Sequence, residues 1–431
     1  MLLTTVIASL SMAYIPLELV PGPVGTADAL VVAILYLGVR YRVFNSKFTA
    51  IELMGSAFIA WLIARMSLLA ILEGHSFDIS FLRDGAAVFS ALILFRISKI
   101  AELRKPILNG LLASLLLAII LETYQLVVGH DVLRGMGYQP PDFNYDTSAG
   151  TYRPFGGFYT PVVFGAYLAL ILSFASFAFK STAARCLAGA GAVGLILTYT
   201  RGAWIGLIIA LLAGVLLLSP RIRSRLAVWL ITASFFLTST LLMFPEIVAA
   251  PVQRLLTITD AGFSSNAIRL ELWVGTLKKV SESPLIGFGP SAFSDVMAEE
   301  IGVLAQFGHP HNTFLLVFYR YGTVGLILLL SLLFTICAML VRDKRAKSYD
   351  KSSGVAILIA FLICSFVETT WGSTHIIALL FTGLGLSLSS GTDPQVQVRI
   401  TRPAAPRATV ERPTTGSLSP NISTEHLRGS A

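Results

Sequence analysis

Residues 309–341 read HPHNTFLLVFYRYGTVGLILLLSLLFTICAMLV. From Asn312 onward the run is apolar for longer than the roughly 20 residues that cross the hydrocarbon core of a bilayer. Arg320 is its one charged residue. A run of this length is too long for a strand and too apolar for a surface helix, so it predicts a membrane-spanning helix. The approach to it is polar. His309 and His311 flank a proline, Asn312 is a good helix cap, and glycines stand at 322 and 325.

The rest of the chain repeats the pattern. Of 431 residues, 55% are hydrophobic and only 13% charged, a composition that excludes an ordinary soluble globule. Apolar segments at 3–20, 26–40, 50–72, 86–100, 107–128, 158–180, 184–199, 202–219, 225–244, 312–341, 353–370 and 372–390 predict an all-α, polytopic membrane protein of about 12 transmembrane helices. No Lys or Arg precedes the first segment, so it reads as a retained span rather than a cleaved signal peptide. Residues 1–390 form the expected membrane domain. Residues 391–431, dominated by Pro, Ser, Thr and Arg without apolar periodicity, read as a disordered basic cytoplasmic tail. Cys186, Cys337 and Cys364 fall inside spans, which leaves the loops without a disulfide framework.

Charge gives the orientation. With the N-terminus inside, the inner loops and the tail hold most of the 32 Lys and Arg. The outer loops hold only Arg83, Arg134, Arg153, Arg201, Arg254, Arg269, Lys278 and Lys279. Positive charge stays on the cytoplasmic side, so both termini are expected there. The outer loops then include a long one, about 245–311, between the ninth and tenth helices, too long to be a simple turn. Within it SSNAIRLELWVGTLKKV (264–280) carries apolar residues at 268, 272, 273, 277 and 280. It predicts an amphipathic helix lying at the surface. PLIGFGPSAF (284–293) follows as a Gly/Pro turn into a second short helix near 291–304.

Several chemistries have no motif here. There is no phosphate loop for a nucleotide, no Asp-x-Asp pair for a metal-bound nucleotide sugar, and no His-Glu-x-x-His or Cys/His cluster. His309 and His311 have no carboxylate near them in sequence, so no metal is expected. No nucleic-acid partner is expected either.

Helix direction is more informative. Even-numbered spans run from outside to inside and turn free N–H groups and a partial positive charge outward. Three of these mouths are distinctive: TYRPFGGFYTP with Thr160 as cap and Pro161 at the first helical position, TYTRGAWIG with Arg201 at its start, and HPHN. Converging, they would make an anion site with Arg153 and Arg201 beside it, suited to phosphate or pyrophosphate. Arg201 alone also fits an interfacial anchor reaching for headgroups; the Gly202–Gly206 spacing instead allows a second helix to pack there. A helix N-terminus disfavours an imidazolium, so His311 is expected to be neutral and able to accept a proton. Gly322 and Gly325 share a face and would allow tight packing. Arg320, inside a span, needs a partner, and Glu122 and Glu368 are its candidates. Glu52 and Arg65, thirteen residues apart on one helix, are about 20 Å apart and do not pair with each other.

Taken together, His311-Asn312 followed by Gly322-x-x-Gly325, the Arg-Gly segment TYTRGAWIG, the helix NAIRLELW (266–273), the turn PLIGFGPSAF and the approach RPFGGFYTPVVFGAYL (153–168) resemble the O-antigen ligase and polymerase superfamily of bacterial inner-membrane glycosyltransferases. The resemblance covers residues 150–330 in order. It implies transfer of a glycan from an undecaprenyl-pyrophosphate-linked oligosaccharide to an acceptor sugar at the periplasmic face, with inversion and without metal, nucleotide or other cofactor. It implies that Arg201 and Arg269 grip the pyrophosphate and that His311 is the general base. Arg153 is a further phosphate or sugar contact, and Asn312, His309, Gly322, Gly325, Arg320 and Glu368 are supporting residues. The expected acceptor is a growing exopolysaccharide or O-antigen chain, or lipid A-core for a ligase. Inner-membrane lipids and other polysaccharide assembly proteins are the remaining expected partners. A transporter or flippase for the same lipid-linked sugar is the reading from another class, although no internal repeat supports it.

Overall fold

The computed structural model describes residues 1–13, 26–45, 47–72, 79–128, 145–146, 151–158, 160–218, 264–289, 293–302, 304, 308–343 and 348–388. All lie in the unit Met1–Val396. The expected ninth span, the loop portion 245–263 and the expected tail 391–431 lie outside the described residues.

Apolar sequence becomes helix almost everywhere in the described part. The α-helices are α1 Leu2–Ala8, α2 Thr26–Arg40, α3 Ala50–Leu72, α4 Ile79–Ser98, α5 Arg104–Val128, α6 Pro161–Ala178, α7 Thr182–Leu197, α8 Arg201–Leu216, α9 Ser264–Val280, α10 Phe293–Ile301, α11 Thr313–Arg342, α12 Ser348–Val367 and α13 Thr374–Leu388. The β-structure described is a two-residue antiparallel pair, Tyr145–Asp146 with Thr151–Tyr152. Among the described residues, five helical stretches are long and apolar enough to cross a membrane: Ala50–Leu69, Ala101–Val128, Pro161–Ala178, Thr313–Arg342 and Ser348–Val367. Shorter apolar helices, including α7, α8 and α13, accompany them. The described secondary structure is thus helical apart from the β-pair, and the protein is integral to a membrane.

Two sequence-level caps form as the residue types require. Thr160 accepts from the Val163 N–H with Pro161 at the first helical position, and Asn312 Oδ1 accepts from Phe314 N and Leu315 N at 2.9 and 3.1 Å. Each satisfies donors that the first turn leaves unpaired.

The centre is built around α6, α12 and α13, buried on nearly every side. α12 packs against α6 and α8, and α13 against α4. Where α8 meets α12, a Cβ added at Gly206 would lie 3.2 Å from Cys364 Sγ, and Gly202 abuts Val367. The small residues thus set the close approach, as expected of helices packing in lipid. Outward faces carry exposed Ile63, Ile120, Ile208, Leu212, Leu330 and Phe334, a surface for acyl chains rather than water.

Three expectations need correction. First, α4 starts at Ile79, not near 86, which brings Asp84 into the helix. Second, α9 does not simply lie at a surface. Leu272 and Val280 are buried with Phe293, Met297 and Ile301 and against Tyr319 of α11 in a small second core, while Leu277 is exposed.

Third, Gly322 is a break in α11 rather than a packing notch. Its φ of 65° and ψ of −169° are non-helical, in a region open essentially to glycine alone. The loop 284–289 takes over the four backbone groups released there. Phe288 N and Gly289 N donate to Tyr319 O and Arg320 O at 2.8 and 2.9 Å, while Thr323 N and Val324 N donate to Pro284 O and Leu285 O at 2.8 and 3.5 Å. In an unbroken helix these donors and acceptors would bond to one another. Gly287, at φ 70°, sits back to back with the break: a Cβ there would lie 2.6 Å from both Gly322 N and Tyr319 O. Arg65 of α3 completes the joint, donating from Nε to Ile286 O at 2.8 Å and from Nη2 to Gly287 O at 2.6 Å.

Candidate functional site: an arginine-lined cavity beside a histidine–carboxylate cluster

The starts of α6, α8 and α11 gather with the ends of α7 and α12. Arg153 Nε donates to Thr198 O at 2.9 Å, just past α7. Thr200, before α8, donates from Oγ1 to Pro161 O at 3.1 Å, at the start of α6. Between them Tyr199 takes a positive φ of 52°, which turns the chain sharply so that Arg201 begins α8 inside the protein, only 8% exposed. Arg201 Nη2 donates to Asn266 Oδ1 at 2.9 Å. Asn266 and Arg269 are three apart on α9 and share a face.

Arg153, Thr200, Arg201, Asn266, Arg269 and Val367 are among the residues lining one cavity of about 200 Å³. Three guanidinium-bearing residues from far-apart positions therefore meet there, and among the described residues its lining includes no carboxylate. Such a set suits an anion with several oxygens, because each guanidinium can donate in a fork. The volume matches a headgroup rather than a whole lipid-linked glycan.

Next to it lies the histidine cluster. Val367 lines the cavity, and Glu368 follows it. Glu368 is buried at 3% exposure. His311 Nδ1 lies 3.0 and 3.3 Å from its two carboxylate oxygens, and His309 Nε2 lies 3.9 Å from Oε1. The His309 and His311 rings meet edge to face at 4.3 Å. His311 has φ 50°, an uncommon state for a non-glycine residue. Trp273, one turn after Arg269 on α9, donates from Nε1 to Pro310 O at 2.9 Å and packs edge-on against Phe366 of α12 at 5.5 Å. The indole thus ties the arginine-bearing helix to both sides of the histidine cluster.

Electrostatics links the two halves. Desolvation pushes His309 down to about 4 against the pull of the Glu368 charge, with His311, Arg320 and Arg269 adding to the depression. Burial alone would raise Glu368; the facing His311, His309 and the Thr369 N–H outweigh it and hold the carboxyl well below the usual range. Sequence reasoning put only a helix N-terminus beside His311. The fold adds a carboxylate, with Glu368 Oε2 3.0 Å from the ring Nδ1.

Ligand atoms of His309, His311 and Glu368 all lie within 4.8 Å of one another, close enough to hold a metal ion. The sequence did not show the third member, which comes from the end of another helix. The hydrogen bonds argue against a metal-ready arrangement, however. The His311 N–H donates to His309 Nδ1 at 3.2 Å, so a neutral His309 carries its proton on Nε2, the nitrogen that faces Glu368.

Arg320 does not join this site through Glu368, nor does it pair with Glu122. Its Nη1 donates to Asp84 Oδ2 at 3.1 Å, and the Tyr321 hydroxyl bonds the same carboxylate. Asp84 escaped the sequence reading because its helix was started too late. Glu52 pairs instead with Arg96. Gly325 lies on the far side of the break near Trp61, whose indole donates to Tyr321 O at 3.0 Å. Asn266 and Trp273 were also missed as site residues, although the Asn-x-x-Arg spacing that sets Asn266 beside Arg269 on one face was readable.

A helical membrane protein with a cationic cavity beside an imidazole and a carboxylate suits an anionic ligand. Residues 186–330 match the family model described as O-antigen ligase. This match supports a place for the chain in the O-antigen ligase and polymerase superfamily. No curated protein matches the chain. The family implies glycan transfer in general, from a lipid-linked donor to an acceptor. The matched window contains Arg201, Asn266, Arg269, His309, His311 and Gly322; Arg153 and Glu368 lie outside it.

Proposed function

We propose that this protein transfers a glycan from undecaprenyl pyrophosphate to an acceptor sugar at the periplasmic face of the inner membrane, joining repeat units of an exopolysaccharide or O-antigen. The observation that carries the reading is the meeting of Arg153, Arg201 and Arg269 in one cavity, with His311 tied next to it through Trp273 and Glu368. In the reaction the acceptor hydroxyl oxygen attacks the anomeric carbon from the face opposite the pyrophosphate. The bond from that carbon to the phosphate oxygen breaks, and the configuration inverts. Undecaprenyl pyrophosphate leaves with the electron pair, and the arginines stabilise the charge gathering on it. His311 takes the hydroxyl proton. The chemistry uses no metal, nucleotide or other cofactor. Both termini are cytoplasmic in this reading, and the outward faces of the helices hold the polyprenyl chain in the bilayer.

A ligase moving a finished glycan to lipid A-core is the second reading of the acceptor, and the family description is compatible with it. Purified protein in detergent, given lipid-linked donor and either acceptor, tests both. Transfer with no membrane gradient supports an enzyme and excludes a pure flippase. His311→Ala is expected to abolish transfer while donor binding persists; unchanged turnover removes its assigned role.

A further inference from the structure

Glu368 is buried, and its carboxylate is held from several sides. Thr369 donates to Oε1 from its N–H at 3.0 Å and from its hydroxyl at 3.2 Å. His311 Nδ1 is closest to the other oxygen, Oε2, at 3.0 Å. The backbone is pinned as well. Thr313 Oγ1 donates to Glu368 O at 3.0 Å and accepts from Thr370 N at 2.9 Å, which locks the end of α12 to the first residue of α11. A buried carboxylate is costly unless its partners compensate, and here the ring nitrogen of His311 is one of them.

An ionised carboxylate only accepts. The ring nitrogen facing it must therefore carry a proton, and Nε2 of a neutral His311 keeps its lone pair. The His311 side chain is 21% exposed. We propose that Glu368 is a positioning residue for His311: it fixes the Nδ1-protonated tautomer, aims Nε2 as the proton acceptor, and faces the imidazolium that forms as the acceptor hydroxyl is deprotonated. The inference rests on the reading of His311 as the base. It assigns the role to a residue outside the matched family window.

The geometry makes a specific substitution informative. In Glu368→Gln the Thr369 donors hold the amide oxygen, which turns the NH₂ group toward His311 Nδ1. The ring must then accept at Nδ1 and carry its proton on Nε2, the wrong tautomer for a base. The same inversion of a His–carboxylate pair lowers turnover in a serine protease by about 10⁴-fold.

The test has two arms. In full-length protein with ¹⁵N-labelled histidine, with His311 assigned by its loss in His311→Gln, magnetic resonance is expected to show Nδ1 protonated and Nε2 bare. Glu368→Gln is expected to reverse the two, and Glu368→Ala to give a mixture. In the transfer assay both variants are expected to lose about 10²–10⁴-fold in kcat, with donor Kd within about twofold of the parent. A carboxylate that merely held the fold would lower thermal stability and donor binding while leaving the tautomer unchanged, and that result overturns the proposal. So does a parent spectrum with the proton on Nε2, or stoichiometric zinc that is lost in His309→Ala. The tautomer arm needs no glycan transfer, so a wrong function and a wrong role for Glu368 give different results.

Discussion

Replacing Gly322 by alanine tests how the helix break and the loop hold each other. The new Cβ would overlap the Leu285 carbonyl and come within 2.5 Å of Ile286 N, both backbone groups that cannot swing aside. The φ of 65° adds strain of about 1–3 kcal/mol for any residue with a side chain. To relieve the overlap the loop 284–289 must withdraw, giving up its four backbone hydrogen bonds to α11, each worth about 0.5–1.5 kcal/mol net. The total is about 3–9 kcal/mol, against whole-domain stabilities of about 5–15 kcal/mol. A short turn joins this loop to the end of α9, so its withdrawal also frees the helix carrying Asn266 and Arg269. Thermal unfolding in detergent and donor binding are the assays, with Gly372→Ala as control because nothing lies within 4 Å of a Cβ there. Gly322→Ala is expected to melt well below the control and bind donor more weakly. If both melt together and bind donor alike, the joint is not what holds α9 in place.

Other perturbations act on separate parts. Arg201→Ala is expected to weaken donor binding about 10- to 100-fold, as loss of a charged hydrogen bond worth about 1.5–3 kcal/mol implies; Arg201→Lys recovers only part, because a point charge replaces a fork. Calorimetric titration with a polyprenyl pyrophosphate reads this, and full recovery by lysine would show that charge alone matters. His309 is held down at about 4 in the folded protein, against about 6.5 for a free histidine. Between those values the unfolded chain binds a proton that the folded one excludes, so stability falls as pH drops through that window. Glu368, whose folded value is depressed, loses its contribution only at lower pH. The melting temperature of His309→Gln is therefore expected to fall less than the parent's between pH 7 and pH 5; parallel falls would refute this. Transfer is expected to continue in EDTA, and loss of turnover restored by zinc or magnesium would make the metal-free reaction wrong.

Much of this was legible in the chain because it is local. Apolar length gives helices, and the caps at Thr160 and Asn312 are written in a few consecutive residues. Arg153 and Arg201 stand next to the starts of α6 and α8 in the sequence itself, whereas their meeting in one cavity is shown only by the fold. What stayed hidden depends on contacts between distant segments. Glu368 looked like a partner for Arg320 because both are charged residues in apolar runs. Nothing in the sequence says that the end of α12 is pinned to Thr313 rather than to a position two turns further along α11. Asp84 was hidden for a simpler reason: charge near a helix start is ambiguous, and the apolar pattern alone began α4 too late.

The glycines at 287 and 322 show why separate motifs belong together. Read singly, PLIGFG is a turn and Gly322-x-x-Gly325 is a packing face. In the fold they form one joint, because a membrane helix cannot leave backbone groups unpaired at a break. The loop that pairs with them is fixed relative to α11. Because α9 leads into that loop, Arg269 is fixed relative to the histidines at the other end of the same half-helix. Arg65 and Trp61 of α3 brace the joint from behind. A single strained residue thereby couples the helix that carries Arg269 to His311, and a change that straightened α11 would release both at once.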